Sequence, residues 1–155
     1  MLQPAIEILD SNRMMAISTV RPDGWPQTTI VGYANQGWKL YFVIFRSSQK
    51  FANIARDDRV SIAVSGETSF LSAIKAVYAG GHAAEVTDPG ERAIAWQLLL
   101  ERHPNLADFG LPDESETALM RAVCKYVSVL DYGKGIGHTE ALTVGESGSA
   151  PASSS

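Results

Sequence analysis

The chain has 155 residues, 45% hydrophobic and 19% charged, enough for one globular domain with a core of its own and too few for two. A formal net charge of -4 gives no electrostatic reason to expect nucleic acid or an anionic membrane as partner. The single cysteine, Cys124, excludes an intrachain disulfide and any metal site built from cysteines.

The opening MLQPAIEILDSNR carries Glu7 and Asp10 and lacks the apolar run of a secretory signal. Nowhere is there the run of about 18 apolar residues that a membrane span needs, so a cytoplasmic protein is expected. Pro4 to Asn12 puts Ile6, Ile8 and Leu9 near one face, which predicts a short amphipathic helix over an open end of the fold. Met14 to Val20 reads as a strand. Arg21, Pro22, Asp23 and Gly24 make the turn, and Pro26 to Tyr33 is the return strand, with proline at the position where a missing N–H costs least. Asn35, Gln36 and Gly37 form a second turn before the strand that starts at Trp38.

A helix from Gln49 to Asp57 and a strand RVSIAVS follow. After a looser stretch, Ile74 to Val86 is a strand in which Gly80 and Gly81 predict a bulge or bend. Asp88 or Thr87 caps a helix with Pro89 in its first turn; Ile94, Trp96, Leu98 and Leu99 supply its apolar face, and Pro104 ends it. The segment NLADFGLPDESETALMRAV reads as a connector with a further short helix, and Lys125 to Tyr132 as the last strand. Residues 1–144 are expected to form the domain, and the tail GESGSAPASSS, 145–155, is too poor in apolar residues to fold. About seven short antiparallel strands with helices at the ends favour a small mainly β (α+β) barrel over a doubly wound α/β sheet.

The turn between the third strand and its helix concentrates Arg46, Ser47, Ser48, Gln49 and Lys50. A helix opening there aims unpaired N–H groups and the positive end of its dipole at the turn, and the turn adds two hydroxyls and two cations, the set a phosphate site requires. The same residues also read as an ordinary cap, with Ser47 or Ser48 closing the helix end and Lys50 in solvent.

Taken in order, RMMAISTVRPDGWPQTTIV, LYFVIFRSSQKFANIARDDRVSIAV and GGHAAEV resemble the flavin-binding split-barrel family related to pyridoxamine 5'-phosphate oxidase. The likeness covers most of Asn12 to Val86 and extends more loosely to about Val144. It implies an antiparallel split β-barrel with peripheral helices and FMN across the barrel wall at a homodimer interface. Matched residue by residue, Ser48 and Lys50 take the phosphate positions, with Arg46 and Ser47 beside them, while Gln49 stands where the better-known oxidases place an arginine. Thr28, Thr29, Ile30 and Val31, with Val43 and Ile44, become candidates to lie along the flavin ring, although Ile30 and Ile44 read equally well as barrel core.

Thr28 and Tyr33 occupy places where oxidases acting on pyridoxamine phosphate carry basic residues, and no arginine-rich C-terminal segment follows, so that substrate is not expected. In DYGKGIGHT, a backbone able to bend could bring His138 or Lys134 to the flavin; a plain surface loop is the alternative. His82 could line a site or only the surface, and His103 before Pro104 reads as a solvated helix end. Lys75 and Trp96 are candidates for contacts from a partner subunit. The three histidines show no metal-ligand spacing. The resemblance thus implies an FMN-binding flavoprotein, an oxidoreductase acting on a small-molecule substrate as a homodimer with shared flavin sites. The alternative is a flavin- or haem-binding barrel without turnover.

Overall fold

The computed structural model describes residues 2–109, 113–144 and 152–154. The helices are α1 (Leu2–Asp10), α2 (Gln49–Arg56) and α3 (Pro89–Arg102). The strands are β1 (Met14–Val20), β2 (Pro26–Gly32), β3 (Ala34–Gln36), β4 (Lys39–Phe45), β5 (Arg59–Ser65), β6 (Lys75–Glu85), β7 (Thr117–Asp131), β8 (Thr139–Thr143) and β9 (Ala152–Ser154). They form one antiparallel sheet in the order β2-β1-β5-β6-β7-β4-β3, with β8 beside β7 and β9 beside β8.

The sheet curls into a half-barrel because each strand presents alternate apolar residues to one interior. Met15 and Ile17, Leu40, Phe42 and Ile44, Val60, Ile62 and Val64, Val77 and Ala79, and Met120, Val127 and Val129 meet there in a single cluster. α1 adds Ala5, Ile8 and Leu9, with Ile6 only partly buried. A second, smaller cluster lies outside the wall, where Ala95 and Leu99 of α3 cover Tyr41 and Leu119. Trp96 and Leu98 pack against it, but Ile94, expected on this face, is turned to solvent.

The Pro22–Gly24 turn, the proline-led β2 and the Asp88 cap form as the sequence predicts; Asp88 accepts from the Glu91 N–H at 2.9 Å. The expected bulge lies between Gly80 and Gly81, where the register with β7 slips by one residue and leaves Lys125 unpaired. Two expectations change. Asn35 and Gln36 belong to the short strand β3, and the turn moves to Gly37, whose φ of +59° suits a residue without Cβ. Among its described residues, the segment read as a connector with a short helix holds a 3-10 turn at Pro104–Phe109 and no α-helix, and from Thr117 onward it is strand. The reason is double burial: Ala118, Leu119 and Met120 are all buried, the first and last in the barrel core and Leu119 under α3, so no alternation marks the strand. β8 is a further strand beyond the expected last one. The expectation for the 145–155 tail falls mostly outside the described residues, apart from the short strand at Ala152–Ser154.

Cys124 is buried in the core, and that burial pushes its thiol up to about 12, far from the range in which a thiolate reacts. The native protein is therefore expected to resist an aromatic disulfide reagent at pH 8 and to react with one equivalent once unfolded. Rapid labelling of the native state would contradict this packing.

Candidate functional site

β2 and β4 lie side by side with no ladder between them, so the barrel is open along that line. β2 has one neighbour, β1, and the Tyr33 N–H bonds the Arg13 carbonyl at 3.0 Å in the register Met14↔Gly32. In an antiparallel ladder the groups alternate, so the odd-numbered residues bond β1 while Thr28, Ile30 and Gly32 turn N–H and C=O to the open edge. A planar heterocycle with donors and acceptors along one edge can be read by such a strand.

Thr29 sits on the inward side of this strand, and its Oγ1 is buried without a hydrogen-bond partner among the described residues. A buried hydroxyl left unpaired costs free energy, and an orphan of this kind calls for a missing partner. Thr28 is on the outer face, where its hydroxyl is hydrogen-bonded to that of Ser18 at 2.6 Å.

α2 begins beside this opening. Ser48 caps it: its Oγ accepts from the Phe51 N–H at 3.2 Å and donates to the Phe45 carbonyl at 2.7 Å. The N–H groups of Gln49 and Lys50 at the start of the helix have no acceptor within it. A buried amide ties the helix to the wall: Asn53, fully buried, donates to Thr19 Oγ1 at 3.0 Å and Gln27 Oε1 at 3.2 Å. Gln49 donates in turn to Asn53 Oδ1 at 2.9 Å and so braces α2.

The two cations of the turn differ. Arg46 is held in a two-bond clamp by Glu85, both bonds 2.8 Å, donates from Nε to the Glu114 carbonyl, and lies over the Phe51 ring. That clamp holds the Glu85 carboxyl below its ordinary range and raises the guanidinium. Lys50 is in no ion pair among the described residues, and Ser47 is exposed. The free charge at the helix start is therefore the lysine.

The remaining candidates are spread out. Ile44 fills the barrel core, Val31 packs against that core, and Val43 faces outward to the α3 cluster. Ile30 is 64% exposed on the outer sheet face. Trp96, on α3, is partly buried against the outer cluster, and Lys75 is exposed opposite Asp131. His138 and Lys134 both lean on Glu140 Oε1, at 3.1 and 3.6 Å. Tyr33, matched to a basic residue of the oxidases, is wholly buried and donates to the Leu9 carbonyl at 2.6 Å; burial pushes its phenol up to about 12. It cannot grip a phosphate.

His103 corrects the reading of a solvated helix end. Its Nε2 lies 2.8 Å from the Tyr33 carbonyl, and its ring rests on Gly32, where a Cβ would come within 3.0 Å of Cε1. No local signal in the sequence marks this contact, which joins residues 70 apart. Among the described residues no group of three or more histidine, cysteine, aspartate or glutamate side chains could hold a metal ion, and no helix is long and apolar enough to cross a membrane.

Comparison with known proteins agrees with this architecture. The model of the family described as pyridoxamine 5'-phosphate oxidase matches residues 2–130. No curated protein matches. Among solved structures, a haem-binding protein from Mycobacterium smegmatis superposes with a TM-score of 0.79 at 22% identity over 92% of this chain. The chain spans only 57% of that protein's length. An FAD-binding protein from Mesorhizobium loti gives 0.66 at 22% identity, covering 82% of this chain and 91% of the other. The haem storage protein HutZ of Vibrio cholerae gives 0.64 at 20% identity, covering 79% and 89%. At these identities the likeness is one of fold.

Proposed function

Because this chain belongs to the pyridoxamine 5'-phosphate oxidase family, having the split-barrel fold and matching the family's model over residues 2–130, we propose that it is an FMN-binding flavoprotein. Its role is to move a hydride or electrons between a reduced carrier and a small substrate. The observation that carries the reading is the unpaired, buried Thr29 Oγ1 on an open strand edge beside the α2 helix start and the free Lys50. Lys50, Ser47 and the first N–H groups of α2 would take the phosphate. The open edge of Thr28, Ile30 and Gly32 would take the polar rim of the ring, and Val43 would give it apolar cover. Bound FMN supplies the hydride chemistry.

The site is proposed to be completed in a homodimer. The outer face of β1, β2, β5 and β6 carries the small residues Ala16, Ser18, Ser61 and Ala63, with Met14, Ile30 and Tyr78 exposed at its margins. A face of small residues with apolar margins suits the same face of a second copy. If FMN is shared between copies, it stabilises the dimer by mass action. Sedimentation of the FMN-loaded protein at low concentration is expected to show a dimer that dissociates more readily without FMN. A monomer holding one tightly bound FMN would defeat the shared site.

The test of the main reading is the visible spectrum of the purified protein after incubation with FMN and gel filtration. Oxidised-flavin bands at one per chain, bleached by a reduced nicotinamide, are expected, and no retained flavin would overturn it. The second reading is haem held without turnover. One observation favours it: His82 Nδ1 lies 2.8 Å from Asp58 Oδ1, the carboxylate brace typical of a metal-bound imidazole, leaving Nε2 free. A Soret band on adding haemin to the wild type, lost in His82→Ala, would favour it over flavin.

A further inference from the structure

Beneath the C-terminal end of α3 is a recess of about 340 Å³ lined by Gly32, Val43, Leu99, His103, Asn105 and Leu106. We propose that this recess is the substrate subsite, and that it takes a compact, uncharged, planar molecule whose hydrogen-bond donor is received by His103. The proposal rests on the flavin reading in one respect, that Val43 borders both the recess and the ring, so that a molecule seated here lies next to the cofactor.

The volume is at the lower end of the range for small-molecule sites. Four of the six lining residues, Gly32, Val43, Leu99 and Leu106, have no polar side-chain atom, so the floor and walls suit a flat apolar body.

Charge is selected against. No lysine or arginine lines the recess. The nearest cation in sequence, Arg102, spends its guanidinium elsewhere, on the carbonyls of Leu9 and Asn12 and on Asn35 Oδ1. The recess also lies at the carbonyl end of α3, the negative end of its dipole, which disfavours an anion. A phosphorylated or carboxylated substrate would lose its hydration there and meet no cation, the neutral Asn105 amide being the one side-chain donor left over in the lining.

Direction is set by the tautomer of His103. A carbonyl oxygen only accepts, so the 2.8 Å contact with Tyr33 places the proton on Nε2. In the neutral ring Nδ1 is then an acceptor, and it has no partner among the described residues. Gly32 allows this seating, since a Cβ there would stand 3.0 Å from Cε1 and shift the ring. His103 is thus a positioning residue for the substrate, held by one nitrogen and reading a donor with the other.

Three probes of one shape test this: 2-naphthol, which has a donor; 2-methoxynaphthalene, which has none; and 2-naphthyl phosphate, which is charged. Binding is measured by calorimetry on the full chain, with and without FMN, while absorbance follows FMN separately. 2-Naphthol is expected to bind in both states, about fivefold tighter than 2-methoxynaphthalene and at least about tenfold tighter than the phosphate. His103→Leu should erase the preference for naphthol over its methyl ether, His103→Gln should restore part of it, and Leu106→Trp should block all three probes, each variant being checked for an unchanged melting temperature. Should Leu106→Trp or His103→Leu melt early, the ratios in wild type and His103→Gln decide alone. Equal affinity for the three probes, preference for the phosphate, or loss of naphthol on loading FMN would overturn the proposal. Failure of FMN to bind, with the probe ratios intact, would remove the flavin reading and leave the selectivity of the recess standing.

Discussion

Replacing Gly81 by alanine is expected to destabilise the protein by about 3 kcal/mol or more, a large part of the stability of a domain this size. An added Cβ would lie 2.0 Å from the Val123 carbonyl oxygen and 2.8 Å from its carbon. These are backbone atoms of the neighbouring strand, at the point where the bulge has drawn β6 and β7 together, and neither strand can retreat without breaking the ladder on both sides. The adjacent Gly80 is the control. Its Cβ would meet the Tyr126 ring at 2.1 Å, but that residue is 55% exposed and can swing outward, so Gly80→Ala is expected to cost about 1 kcal/mol. Thermal melts of the two variants should be separated by roughly 5 °C or more. Equal melting temperatures would mean that the bulge is not as tight as described.

The second large effect is on the cofactor. Lys50→Ala is expected to weaken FMN binding by roughly tenfold to a hundredfold, the value of a charge-assisted bond of about 1.5 to 3 kcal/mol. Riboflavin, which lacks the phosphate, should bind the variant and the wild type alike. Arg46→Ala should cost less FMN affinity than Lys50→Ala, because the Arg46 guanidinium already answers Glu85 through two bonds of 2.8 Å. Parallel losses for FMN and riboflavin in Lys50→Ala would place the phosphate elsewhere. A larger loss in Arg46→Ala would show that the clamp opens when the ligand arrives.

The features legible in the sequence are those set by near neighbours. The β1–β2 turn, the Ser48 and Asp88 caps, the glycine bulge and the alternation of β5 all depend on residues within a few positions of one another. The second half of β7 matches the strand expected from Lys125, but its first half was not legible, because Ala118, Leu119 and Met120 are good helix formers buried in succession, and a strand covered on both faces loses the period that identifies it. The site divides in the same way. The serine and lysine turn was visible as a helix start, but the neutralisation of Arg46 comes from Glu85, 39 residues away, and the seating of His103 from Tyr33, 70 away. The resemblance supplied the strand at Thr28 to Val31. Only the packed structure shows that the unpaired hydroxyl belongs to Thr29 and not to Thr28.

β7 also bears on how the chain is made. It bonds β4 along its first half, β8 along its second, and β6 along nearly all of its length, yet it begins only at Thr117. On the ribosome, everything up to that residue can form the β1–β2 hairpin and the β5–β6 pair, but one long edge of β6 and one of β4 remain bare until β7 emerges. Exposed edges of this kind are templates for pairing between chains, and pairings this distant in sequence close slowly. Nascent chains halted before Thr117 should therefore depend on chaperones and associate through those two edges, whereas chains released beyond Val144 should not.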